Sequence, residues 1–384
     1  MVDFELTDEQ NILRETVSRF LAQEVDPIVA DHERRGEFAW ELLPKLKQFG
    51  YIGGLLPEQA GGFGMDYVSW AVLMELAGYH WLSMRVVLNT VNIAASLLHT
   101  HATPAQRERF LKPLLECKKR FFVGITEPNH GSNVAGMETR AVDKGDHYLI
   151  NGTKLWITNG IWADFGILMA KVTPTDSHPG GITAFLVERE QAQYSGRRVH
   201  TMILQSTATS ELVFEDVAVP KENVLGKVGE GLKLILTGLN YGRLNVSMGA
   251  VGAAQAALDL SIRYAKDRKQ FGRPIGSFQL VQQHIVEMQC LTEAARWLGF
   301  RAAAALDRGK PARMECSIAK KVATESAFEV ANHALQVHGG MGYSKDYPIE
   351  RIFRDTRGGI IPEGTSEVQT LIIGREILGM SAFE

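Results

Sequence analysis

His147-Tyr-Leu-Ile-Asn-Gly-Thr-Lys-Leu-Trp-Ile157 is the stretch on which the reading of the fold turns. Two short runs rich in β-branched and aromatic residues flank Asn151-Gly152, and Asn-Gly accepts the positive φ of a type I′ turn. The stretch therefore reads as a hairpin, with strands at 147–150 and 153–157. Phe165–Val172, Ile182–Val187 and Glu211–Val219 follow as apolar strands separated by Gly, Pro, Ser and Asp. Together they predict a small antiparallel β-domain in the middle of the chain.

On both sides of this block the hydrophobic period changes to that of a helix. Upstream, Thr7 and Gln10 have the spacing of a capping box, and Ile12, Leu13, Val17, Phe20, Leu21 and Val25 recur behind them on one face. Further helical stretches cover Trp70–Ala77 and Val86–Leu98, after a glycine-rich loop at Gly61–Gly64. Downstream, Leu232–Ala265, Phe278–Leu306, Arg313–Val337 and Glu367–Leu378 are long enough to pack as antiparallel helices. The prediction is a mostly α protein with a central β-domain. Its expected parts are an N-terminal helical domain at 1–121, a middle β-domain at 122–230 and a C-terminal four-helix bundle at 231–384.

Composition narrows the function. The chain has 384 residues, 45% hydrophobic and 22% charged, which suits a large buried core and argues against disorder. A net charge of −3 leaves no general basic surface for nucleic acid or anionic membrane. Cys117, Cys290 and Cys316 are scattered, so neither a disulfide framework nor a zinc module is expected. The acidic N-terminal sequence lacks the features of a signal or transit peptide, and no apolar run reaches ~18 residues. A cytoplasmic protein without a membrane span is the expectation. Neither a phosphate-binding P-loop nor a strand-linked dinucleotide fingerprint occurs, and no paired histidines suggest a metal.

Four segments carry the functional signal. They are Gly124-Ile-Thr-Glu-Pro-Asn-His-Gly-Ser-Asn133, Lys154-Leu-Trp-Ile-Thr158, Asp267-Arg-Lys-Gln-Phe-Gly-Arg-Pro-Ile275, and the run from Gln336-Val-His-Gly-Gly-Met-Gly342 through Asp346, Arg351 and Asp355 to Pro362-Glu-Gly-Thr-Ser-Glu367. In this order and spacing the chain resembles the flavin-dependent acyl-CoA dehydrogenase family, and one branch of it, the glutaryl-CoA dehydrogenases, in a further detail below. The resemblance implies FAD held between the β-domain and the bundle, a homotetramer or dimer, and an electron-transfer flavoprotein as acceptor.

It also assigns residues. Glu363 matches the base that removes the α proton of an acyl thioester while a hydride leaves the β carbon. Its backbone N–H, beside Gly364, matches a donor to the developing enolate oxygen. Some relatives carry the base directly before an arginine on the bundle helix, where this chain has Gly242 before Arg243. That substitution favours Glu363. Arg243 matches a residue along the CoA cleft, though it also reads as an ordinary helix-surface arginine. Ser132 matches a position close to both thioester and flavin. Val123, Ile125 and Thr126 resemble the strand against the flavin edge, and Trp156 and Thr158 the pair that covers the ring. Arg268, Gln270 and Phe271 resemble a segment reaching the adenosine diphosphate of a neighbour's FAD. Gln336, Gly339 and Gly340 resemble a second adenosine-side contact, and Thr365 and Glu367 the last flavin anchors.

Several positions depart from the pattern. Asn133 replaces the usual Asp, His130 a small residue, Pro362 an aromatic, and Ile203 and Gln205 a Gly and an Arg. Arg85 stands in an apolar helical stretch, where a charge is costly unless paired or solvated. In glutaryl-CoA dehydrogenases an arginine of this helix grips a distal carboxylate; pairing within the protein, or an extended side chain reaching water, are the plainer readings. The expected activity is thus α,β-desaturation of an acyl-CoA. A dicarboxylic acyl-CoA and a carrier-protein-bound acyl group are the alternatives.

Overall fold

The structure is a computed structural model that describes residues 5–176 and 178–382. Its N-terminal part is helical: α1 (Asp8–Glu24), α2 (Asp26–Arg35), α3 (Leu42–Lys47), α4 (Tyr67–His80), α5 (Leu82–His101), and the short α6 (Pro104–Gln106) and α7 (Lys112–Leu115). The capping box at Thr7 and Gln10 forms as the sequence predicts, each side chain taking the other's backbone N–H.

The middle is a sheet of β1 (Phe121–Gly124), β2 (Arg140–Asp143), β3 (His147–Ile157), β4 (Phe165–Val172), β5 (Gly181–Glu188), β6 (Ser195–Arg198), β7 (Ser210–Pro220) and β8 (Val224–Leu225), with α8 (Arg189–Ala192) after β5. Its strand order is β6-β7-β3-β2-β4-β5-β8, with β1 parallel to β4. The β2–β4 pair is also parallel, so the sheet is mixed where a purely antiparallel one was expected.

The predicted hairpin at Asn151-Gly152 is corrected by the structure: 147–157 is one strand. Asn151 pairs with Arg140 of β2, and its side chain both accepts from the Asp216 N–H and donates to the Asp216 carboxylate across β7, each at 2.9 Å. Gly152 absorbs the resulting bulge at φ 151°, with Thr139 where a side chain would be. The real turn lies between β2 and β3, where Gly145 takes φ 100° and donates its N–H to the Asp143 carboxylate at 2.8 Å.

The C-terminal part comprises α9 (Gly231–Asp267), a ribbon of β9 (Lys269–Gln270) with β10 (Arg273–Pro274), α10 (Gln279–Asp307), α11 (Arg313–His338), α12 (Ile349–Gly359) and α13 (Ser366–Leu378). Helix α12 was not anticipated. Helices α9, α10 and α11 pack on one another, α12 and α13 lie on α11, and α4 and α5 lie on α9. No helix among the described residues is long and apolar enough to cross a membrane.

Backbones touch where α4 crosses α9. A Cβ on Gly78 would overlap the carbonyl of Gly249, and one on Gly252 the carbonyl of Glu75. Gly252→Ala must push the helices apart. We expect a loss of about 1–3 kcal/mol in urea unfolding, as overpacking typically costs.

Glu33 of α2, the loop at Leu204–Ser206 and Asp355 of α12 meet in a buried junction of all three parts. The Glu33 carboxylate accepts from Trp81 Nε1 at 2.7 Å, Ser83 Oγ at 2.5 Å and Ser206 Oγ at 2.7 Å. Asp355 accepts the Leu204 N–H at 2.7 Å. With glutamine at 205, that position brings no cation to either acid. Burial, and then the Glu33 charge, push the Asp355 pKa up to about 7. The unfolded chain releases this proton near pH ~4, the folded chain near 7, so Asp355 contributes stability in acid that is lost as pH rises between the two. Asp355→Asn keeps an acceptor for Leu204. Its thermal midpoint should exceed the wild type's at neutral pH, with the gap closing towards pH ~4.

Candidate active site

The loop between α12 and α13 carries Glu363 in the left-handed region, φ 58°, followed by Gly364 at φ 85°. A glutamate there is strained, and the surrounding structure must hold it. Gln369 Nε2 donates to the carbonyls of Glu363 at 3.0 Å and Gly364 at 2.9 Å. The fully buried Lys320 donates its ammonium to the carbonyls of Ile360 at 3.1 Å and Gly364 at 2.9 Å. Thr365 caps α13, its hydroxyl accepting the Val368 N–H at 3.3 Å. No hydrogen bond among the described residues takes up the Glu363 backbone N–H.

The loop delivers the carboxylate onto α9 at Gly242. A Cβ there would overlap Glu363 Oε2, so the side chain at 363 fills the space that a side chain at 242 would need. Oε1 accepts from Asn89 Nδ2 at 2.9 Å, while Oε2 is out of solvent and has no hydrogen-bond partner among the described residues. Three cations act on it: Arg85 from α5, Arg243 from α9 and Lys320 from α11. Burial raises the pKa of Glu363 above the ordinary carboxylate range, against the lowering by Asn89 and these cations.

Arg85 is 5% exposed. Its stem lies against bare Gly249, and no hydrogen bond or carboxylate among the described residues reaches its guanidinium. Burial lowers its pKa to about 10, so it remains charged at neutral pH. Among the described residues no carboxylate is in contact with Arg85, and the charge that acts on it is that of Glu363. Arg243 is likewise buried rather than on the surface.

A second group of predicted residues lies along β1 and β3. Lys154, fully buried, forms an ion pair with Glu127 at 2.7 Å and donates to the Ile125 carbonyl at 3.1 Å, while the Leu155 N–H reaches the Thr126 carbonyl at 2.9 Å. These bonds set the segment Val123–Thr126 beside Trp156 and Thr158. Trp156 takes φ 65° at a register break in β3 and leaves its indole 55% exposed. An exposed aromatic face beside two threonines fits a flat, polar-rimmed ring. Ser132 is exposed in the adjoining loop, where Asn133 caps the turn at Val134–Gly136, its side chain accepting the Gly136 N–H at 3.1 Å. His130 lies 3.5 Å from Glu138, an ordinary loop contact.

Arg268, Gln270 and Phe271 sit on the β9–β10 ribbon, with Phe271 92% exposed. Gln336, Gly339 and Gly340 lie exposed at the end of α11, and Glu367 is exposed in the first turn of α13. No hydrogen bond or ion pair among the described residues ties the ribbon to the Glu363 cluster. Sequence reasoning missed Asn89, Lys320 and Gln369, because a single polar residue inside a helical pattern gives no signal of what it faces.

Known proteins match along the whole chain. Models for the N-terminal, middle and C-terminal domains of acyl-CoA dehydrogenases match residues 7–118, 123–217 and 229–378. The caffeyl-CoA reductase-Etf complex subunit CarC of Acetobacterium woodii is 40% identical over 97% of this chain and 99% of its own. The solved butyryl-CoA dehydrogenase of Megasphaera elsdenii superposes with a TM-score of 0.91 at 36% identity, covering 98% of this chain and 100% of that one. A glutaryl-CoA dehydrogenase of Mycobacterium smegmatis in complex with FADH2 gives 0.93 at 28% identity, covering 99% and 97%. Matches to all three domains in their order, and relatives of this identity along the full length, establish that the chain belongs to the acyl-CoA dehydrogenase family, oxidoreductases of acyl-CoA CH–CH bonds.

Proposed function

We propose that the protein interconverts an acyl-CoA and its α,β-unsaturated counterpart, with Glu363 as the base. The observation that carries this is Glu363 Oε2: buried, without a hydrogen-bond partner among the described residues, and seated over Gly242. Such an oxygen gains most from a proton presented by a substrate. The carboxylate takes the α proton, and the open Glu363 N–H donates to the thioester oxygen as negative charge develops there. Arg85, Arg243 and Lys320 favour the ionised base before the step and an anionic substrate carbon skeleton during it. When bound, the flavin supplies the hydride acceptor at the β carbon.

Val123, Ile125, Thr126, Ser132, Trp156, Thr158, Thr365 and Glu367 are proposed to hold the flavin ring. Gln336, Gly339 and Gly340 would contact the adenosine end. Arg268, Gln270 and Phe271, exposed as they are, would reach the FAD of a neighbouring subunit in a homotetramer or dimer. The similarity to an Etf-complex subunit supports an electron-transfer flavoprotein as redox partner, and the reductase among the relatives supports working in either direction. Glu363→Gln should retain fold and flavin but lose ~10³-fold or more in the rate at which an acyl-CoA bleaches the flavin anaerobically.

Arg85 favours a more specific reading: a substrate whose acyl chain ends in a carboxylate, as in glutaryl-CoA. A buried guanidinium with no carboxylate in contact among the described residues, held only by the charge of Glu363, gains from an anionic group of the substrate. Arg85→Ala should then lower kcat/KM for glutaryl-CoA by about a hundredfold, as loss of a buried charge pair does, and leave butyryl-CoA much less affected. Equal losses with both thioesters would make Arg85 structural.

A further inference from the structure

The donor that meets Glu363 stands at the end of a chain of buried side chains. Trp70 of α4, fully buried, donates Nε1–H to Asn245 Oδ1 at 2.6 Å. Asn245 of α9, also fully buried, donates Nδ2–H to Asn89 Oδ1 at 2.7 Å. Asn89 of α5, 5% exposed, donates Nδ2–H to Glu363 Oε1 at 2.9 Å. The chain thus runs Trp70, Asn245, Asn89, Glu363, and passes three times between the N-terminal helices and the C-terminal part.

Its polarity is fixed at the far end. A primary amide can turn over with almost no change of shape, exchanging its donor and acceptor. An indole cannot, because it has only a donor. Anchored on Trp70, Asn245 must turn its oxygen to the indole and its NH2 to Asn89. Asn89 must then accept with its oxygen and direct its own NH2 at the carboxylate. Turning both amides over would set N–H against N–H at Trp70 and oxygen against carboxylate oxygen at Glu363, two buried repulsive contacts where unmet polar groups are most costly.

We infer that Trp70 and Asn245 are positioning residues which, through Asn89, hold Glu363 by Oε1 and reserve Oε2 as the oxygen that exchanges the substrate proton. This rests on the reading of Glu363 as the base. The arrangement divides the carboxylate's two oxygens between two tasks. Oε1 is fixed by a neutral donor, and Oε2 faces the bare surface at Gly242. The charged groups around it are Arg85 from α5, Arg243 from α9 and Lys320 from α11. Tyr241, also on α9, completes the set; its ring stacks on Trp70 with centroids 5.9 Å apart, and the Glu363 charge adds to burial in raising the pKa of its phenol. Of the groups that oppose the effect of burial on Glu363, Asn89 is the foremost. Losing a neutral donor to the ionised form raises the pH at which the base becomes available.

The test is a pH titration of the Glu363 carboxyl in the flavin-loaded protein, followed by its protonated C=O infrared band and, in parallel, by the acid limb of kcat/KM. The band is the one lost in Glu363→Gln. Asn89→Leu should move the midpoint upward by about one pH unit, as expected for a hydrogen bond to a charged group. Trp70→Phe, which never touches Glu363, should move it in the same direction at unchanged flavin content. A shift in Asn89→Leu without one in Trp70→Phe would reduce the relay to a single local bond and overturn the inference, as would unmoved midpoints in both. Should Asn89→Leu not fold, Trp70→Phe decides alone. A fully active Glu363→Gln would instead remove the base assignment itself, an outcome separate from unmoved midpoints around a working base.

Discussion

Burying the carboxylate of Glu363 is the constraint on which the rest of the site depends. An ionised carboxyl loses several kcal/mol of hydration when enclosed, and it stays ionised only if the enclosure returns most of that. Here the return comes from three cations and one oriented amide rather than from a tight ion pair. A close salt bridge would occupy both oxygens. Distributed positive charge stabilises the ion while leaving Oε2 without a hydrogen-bond partner among the described residues, as the proposed base requires.

That solution explains other features. Gly242 is bare because the carboxylate occupies its side-chain volume, and Gly249 is bare because the stem of Arg85 does. Lys320 serves twice: its ammonium holds two carbonyls of the strained loop, and its charge acts on the carboxylate that the loop presents. Burial lowers its pKa to about 8, so the loop is held by a cation that is itself only moderately stabilised. The cations and the amide come from α5, α9 and α11, so the environment of the Glu363 carboxylate is complete only once the N-terminal helices have docked on the bundle.

The middle domain follows the same logic on a smaller scale. The buried pair of Lys154 and Glu127 fixes the β1 segment against β3, and Glu127 also takes the N–H groups of Glu138 at 2.5 Å and Thr139 at 2.9 Å. With its neighbours fixed, β3 can tolerate the break that turns Trp156 outward. Asn151-Gly152 shows how local chemistry yields to the sheet: the pair is suited to a turn, yet two bonds to Asp216 and pairing with Arg140 make it a bulge within a strand.

Neighbouring residues alone specified the order helical, β, helical, the ends of most long helices, the cap at Thr7 and the motif that singles out Glu363 as the proposed base, with glycine at 242. Those features are written in neighbouring residues: hydrophobic period, capping spacing, a motif. Only the packing brings Asn89, Asn245 and Trp70 into one polarised chain, sets Lys320 to clamp a loop some forty residues away, and buries Arg85 with no carboxylate in contact among the described residues. It also decided that Glu33 and Asp355 share a junction lacking a charge at Gln205. Each of these depends on which helix faces meet, and a lone polar residue inside a helix carries no local mark of the partner it will find. The energy of a buried polar group is set by that partner, so it becomes readable only when the packing is known.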